Sequence, residues 1–163
     1  MATTTGPVLT VVDLLNSLIE LDFDAIEAYK AAIARVDDMS DRGELARFLE
    51  DHQRHIADLK PLVTRHGGTP ATDGDLKQIL TKGKVVLGGL FGDRVVMAAM
   101  KANVDDITTA YERAVAHPEA DAETRGVLEK NLENARRHRT WIEQRLQESE
   151  GVTLKKTSSE KTS

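Results

Sequence analysis

The chain of 163 residues contains no cysteine. Disulfides, thiolate ligands and a cysteine nucleophile are excluded, so any bound metal must be held by oxygen and imidazole nitrogen. Aromatic residues are scarce as well, at 4% against 30% charged, a balance that suits amphipathic helices better than a β-sandwich rich in valine and aromatics. No apolar run approaches the roughly 20 residues needed to cross a bilayer as a helix. A local basic patch is also missing, and the net charge of -5 opposes general binding to the nucleic-acid phosphate backbone. Met1 to Gly6 lacks the basic region and long apolar stretch of a secretory signal, so the expected location is cytoplasmic. The length fits one domain with a substantial core.

Four stripes of apolar residues at three- and four-residue steps predict four amphipathic helices and an all-α fold. The first runs Val11, Leu15, Leu18, Ile19, Ile26, Tyr29, Ile33 and Val36, and the second Leu45, Phe48, Leu49, Ile56, Leu59 and Val63. The third carries Met97, Met100, Val104, Ile107, Tyr111 and Val115 before His117-Pro118 stops it, and the fourth Leu128, Leu132, Ala135, His138, Ile142 and Leu146. Asp41 followed by Glu44 reads as a capping box for the second helix, and Asp93 as the cap of the third. Gly67-Gly68, with Pro70 beyond, ends the second helix, and Pro61 bends or splits its last turns. Between Thr69 and Gly92 the glycines at 74, 83, 88, 89 and 92 mark a long crossover with room for one short helix from Leu76 to about Leu87. Gly88 to Gly92 lacks the Lys-Ser/Thr ending and the preceding strand of a phosphate-binding loop, so no nucleotide site is expected. The expected organisation is a flexible lead at 1–7, a helical bundle at 8–149 and a disordered polar tail at 150–163.

Polar residues interrupt three of the stripes. Asp22 takes a core position one turn before Ile26, His52 and His55 stand on the second stripe, and His138 stands on the fourth. Histidines three apart on a helix point the same way from successive turns, a spacing that suits joint metal ligation between bundle helices. An internal repeat links these positions. Aligning the tyrosines sets Asp24, Ala28, Tyr29 and Ile33 against Asp106, Ala110, Tyr111 and Val115 at an offset of 82. Aligning the histidines sets Leu49-Glu50 and Arg54-His55 against Leu132-Glu133 and Arg137-His138 at an offset of 83. Two separate alignments with nearly one offset indicate a duplicated helical hairpin. The same relation pairs Asp22 with Val104, His52 with Ala135, and His55 with His138.

The segments Leu15 to Tyr29, Asp51-His52-Gln53-Arg54-His55 and Asn131 to Ile142 resemble bacterial ferritin-like domain proteins. The likeness covers all four helices and implies a ferritin-like four-helix bundle, two hairpins joined by a long crossover between helices 2 and 3. In those relatives a glutamate usually stands where this chain has Val104, and another where it has Ala135; both are absent here. The resemblance therefore implies a degenerate site: Asp22, His52, His55 and His138 as ligands of one iron, zinc or manganese ion, with little or no oxidase activity. Three readings stay open: that mononuclear site, an ion-free polar layer in a non-enzymatic bundle acting as a homodimer or with a partner, and a di-iron ferroxidase drawing on Glu20, Asp24, Glu27 or Asp106. Tyr29 and Tyr111 read as core packing, and Trp141 as part of an oligomer interface or simply half-buried. Arg54 and Arg137 read as partners of Glu50 and Glu133.

Overall fold

The structure, a computed structural model, describes residues 9–73 and 90–160, with residues 152–160 as backbone only. Four helices account for nearly all of it: α1 (Val11–Ile33), α2 (Met39–Arg65), α3 (Asp93–Val115) and α4 (Ala122–Glu160). No strand occurs among the described residues, and none of their helices is long and apolar enough to cross a membrane. The fold is an all-α four-helix bundle. Each helix buries most of the stripe read from the sequence, with Ile33, Leu49, Val115 and Leu146 only half-buried, so that Leu15, Leu18, Ile19, Leu45, Leu59, Met100, Ile107 and Leu128 meet in one core.

Contacts at the helix ends define the topology. The backbone N–H of Val11 donates to Glu119, just past α3, and the carboxylate of Asp93, at the start of α3, accepts from the N–H groups of Asp37 and Asp38 just past α1 at 2.8 and 3.1 Å. Helices α1 and α3 are thus antiparallel. Helix α2 runs antiparallel to α4 in the same way: Arg65 meets Asp121 at 2.9 Å at one end, and Asp41 meets Arg145 at 2.9 Å at the other. Helices α1 and α2 form one hairpin and α3 and α4 the second, so the chain joining α2 to α3 must connect opposite ends of the bundle. The sequence-predicted short helix from Leu76 to about Leu87 lies outside the described residues, as does the lead at 1–7.

Several helix ends differ from the sequence reading. A capping box does occur at α1, where Thr10 accepts from the N–H of Asp13 while the Asp13 carboxylate accepts from Thr10. At α2 the cap is Asp38 rather than Asp41, because Asp38 has the extended backbone a cap requires and its carboxylate takes the Asp41 N–H at 2.9 Å. Asp41 is freed to pair with Arg145. At α3 the capping position belongs to Gly92, whose φ of +92° disfavours side chains, and Asp93 is the first helical residue, ligating the neighbouring hairpin instead.

Helix α2 continues through Pro61 as one element and stops at His66, with Gly67 in the left-handed region. Gly68 is required for a different reason, since a Cβ there would collide with Val12 of α1. Asn16 then fastens the exit by donating to the Thr69 carbonyl and accepting from the N–H of Ala71. Helix α4 runs to Glu160, past residue 150, where the sequence reading starts the polar tail.

Candidate metal centre

The polar interruptions converge in the middle of this bundle. Asp22 from α1, His52 and His55 from α2 and His138 from α4 are each 0–1% exposed. The periodicity that placed them on core stripes is what directs them inward. An ionised carboxylate in such surroundings needs donors for both oxygens. Asp22 has three. His52 Nδ1 lies 2.7 Å and His55 Nδ1 3.3 Å from Oδ1, while the Tyr111 hydroxyl donates to Oδ2 at 2.6 Å. Burial alone would raise the Asp22 pKa, but the hydrogen bonds and charge of His52 and His55 outweigh it, so the group stays below its ordinary value. The Tyr111 phenol is pushed well above its usual value by burial and by Asp22, and remains a donor.

One potential ligand atom from each of Asp22, His52 and His55 lies within 4.8 Å of the others, an arrangement able to hold a metal ion. His138 is adjacent, its ring centroid 5.3 Å from that of His52 and stacked 4.0 Å from Phe48. It does not bond Asp22. Its Nε2 instead faces Asp51 Oδ2 at 2.8 Å. Burial, followed by the charges of His52, His55 and Arg137, holds the His138 pKa below the ordinary histidine value, with Asp22 opposing.

Asp51 was not singled out by the sequence reading. It is buried and joined by Arg54 and by Arg137, the latter at 2.6 Å. These two arginines therefore pair with Asp51 and not with Glu50 and Glu133, because Asp51 sits on the side of α2 that turns toward α4. Glu20, Asp24, Glu27 and Asp106, the extra carboxylates of a di-iron reading, occupy half-buried or exposed positions outside the Asp22 group. Trp141 is half-buried against Phe48, with ring centroids 5.4 Å apart.

The repeat explains the asymmetry of the site. At an offset of 82, Tyr111 corresponds to Tyr29 and Asp22 to Val104. Tyr111 donates to Asp22, whereas the Tyr29 hydroxyl has no partner among the described residues: the acceptor position assigned by the repeat holds a valine. At an offset of 83, Asp51 corresponds to Asn134 and His138 to His55. Both cross-bundle contacts form, Asp51 with His138 and Asn134 Nδ2 with His55 Nε2 at 3.3 Å.

Phenylalanine substitutions separate the two tyrosines. Tyr111→Phe should cost about 2 kcal/mol at pH 7, the value of a hydrogen bond to a buried charge, while Tyr29→Phe should stay within about 0.5 kcal/mol because no bond is lost. The Asp22 pKa is lower folded than unfolded, so its contribution is present above the ordinary value of 3.8 and lost as pH falls below it. The Tyr111→Phe penalty should shrink over that acid range. Urea unfolding of both variants at neutral and acid pH measures this, and equal penalties for the two tyrosines would contradict it.

No curated protein matches the chain. A family model described as "Domain of unknown function (DUF2383)" matches residues 10–117, a span that includes Asp22, His52, His55 and Tyr111 and stops before Asn134 and His138. The chain belongs to the DUF2383 family.

Proposed function

We propose that this protein is a ferritin-like metal-binding bundle that holds one transition-metal ion through Asp22, His52 and His55, with His138 as a fourth donor. The observation that carries this reading is the fully buried Asp22 carboxylate with two histidine Nδ1 atoms within 3.3 Å of one of its oxygens. Three imidazoles and one carboxylate make a four-donor set suited to zinc, and to iron or manganese in a more open geometry. Val104 and Ala135, both fully buried, leave the other half of the core without the carboxylates that bridge and charge-balance two ions. The protein therefore works as a mononuclear site with little or no oxidase activity, and its place is the cytoplasm.

Elemental analysis of native protein tests this directly. About one equivalent of a transition metal is expected for a single site, and His55→Ala should abolish it while the bundle remains helical by circular dichroism. Wild-type protein that carries no transition metal and takes none up on titration would contradict the proposal.

A second reading, association of the bundle with its own copy, is favoured by an apolar end. Phe91, Met39 and Val95 are 87%, 74% and 45% exposed, all at the end where Asp93 joins the hairpins. On that reading light scattering should give twice the chain mass of 17.9 kDa, falling toward one chain in Phe91→Ser. A strict monomer at all concentrations would dismiss it.

A further inference from the structure

Three features stood out beyond the Asp22 group: the exposed apolar end just described, a surface groove lined by Phe23, Ile26, Gln53 and Ile56, and the buried carboxylate of Asp51. The Asp51 side chain is 4% exposed, yet its partners Arg54 and Arg137 are 68% and 60% exposed, so their guanidinium groups reach inward to it from the surface. Its innermost contact is His138 Nε2 at 2.8 Å.

A carboxylate accompanied by two arginines is ionised and can only accept, so the ring nitrogen facing it must carry the proton. Nδ1 of His138 then holds a lone pair, and it is a fully buried nitrogen with no partner among the described residues. A buried imidazole with one nitrogen on a carboxylate and the other nitrogen open is the arrangement found where histidine binds a metal, the carboxylate setting tautomer and ring orientation. The neighbouring ring is His52, at 5.3 Å between centroids, so the open nitrogen belongs to a histidine beside the group of Asp22, His52 and His55.

The repeat supplies an internal control. Asn134 occupies the equivalent place opposite His55, and its amide nitrogen donates to His55 Nε2, which requires the His55 proton on Nδ1, facing Asp22. The two equivalent histidines are thereby held as opposite tautomers: Asp22 and Asn134 place the His55 proton on Nδ1, and Asp51 places the His138 proton on Nε2.

We propose that Asp51 is a positioning residue: it holds His138 as the Nε2–H tautomer and so presents Nδ1 as the fourth donor of the metal site, a role that rests on the metal-binding reading above. The surface arginines keep Asp51 charged without touching the site. The resulting set is rich in nitrogen and selects imidazole-preferring ions such as zinc or cobalt over magnesium or calcium.

The test combines nitrogen NMR of the histidine rings in metal-free protein with cobalt(II) titration. In wild type the His138 signals should report one tautomer, protonated at Nε2. Asp51→Asn should mix the tautomers, because an amide can either donate or accept, and should weaken cobalt(II) binding by about 10–100-fold. Arg54→Gln with Arg137→Gln removes the charges that keep Asp51 ionised, so it should lower stability and act in the same direction as Asp51→Asn on the tautomer and on cobalt(II) affinity. If Asp51→Asn does not fold, Asp51→Ser is the second variant, since a hydroxyl can also either donate or accept and should mix the His138 tautomers. An unchanged His138 tautomer in Asp51→Asn, or in Asp51→Ser where the first does not fold, overturns the assignment. Wild-type protein that binds no cobalt(II) sinks the metal-binding reading instead, while the tautomer measurements still decide what Asp51 does.

Discussion

Everything distinctive about this bundle follows from one buried negative charge. Asp22 lies fully inside an apolar core, where an unpaired carboxylate would cost several kcal/mol, and the chain spends three side chains from two other helices on it: His52, His55 and Tyr111. Those bonds tie α1 to its hairpin partner and to the opposite hairpin. They also leave the site strongly polar at the one depth where a bundle of this size is otherwise dry. Such a layer either specifies the packing of the helices or holds an ion, and Asp22, His52 and His55 form a group that could hold one.

Duplication accounts for the surroundings of that charge. The half containing α1 and α2 keeps the carboxylate and two histidines; the half containing α3 and α4 keeps His138 and has Val104 and Ala135 in the corresponding places. Tyr29 retains its hydroxyl without an acceptor, as expected if its partner position lost a polar side chain while the tyrosine stayed for its ring. That ring stacks on His52 with centroids 5.3 Å apart, which is reason enough to keep it. The Asp51 and Asn134 pair shows the same process at the next distance out, equivalent positions holding equivalent histidines by chemically different side chains.

Much of this was legible in the sequence, because helical periodicity converts position along the chain into direction in space. The four helices, the inward placement of Asp22, His52, His55 and His138, and the repeat all derive from spacing alone. What spacing does not carry is distance across the bundle. Asp51 lies beside its stripe rather than on it, and is buried only because α4 brings Arg137 and His138 over it, so spacing along the chain pairs both arginines with nearer acids instead. Tyr111 was legible as a core ring but not as a donor, since its acceptor is 89 residues away. The caps moved for a local reason. Asp38 and Asp41 are equally good capping residue types, and only backbone geometry chooses between them.

The central claim is that the Asp22 group is a metal site and not merely a satisfied polar layer. The most direct measurement is an anomalous difference map from crystals grown with zinc and recorded at the zinc absorption edge. A metal site gives one strong peak in the core, bounded by Asp22, His52 and His55 and within reach of His138. Maps with no peak there, or with zinc only on surface carboxylates and histidines, would contradict it.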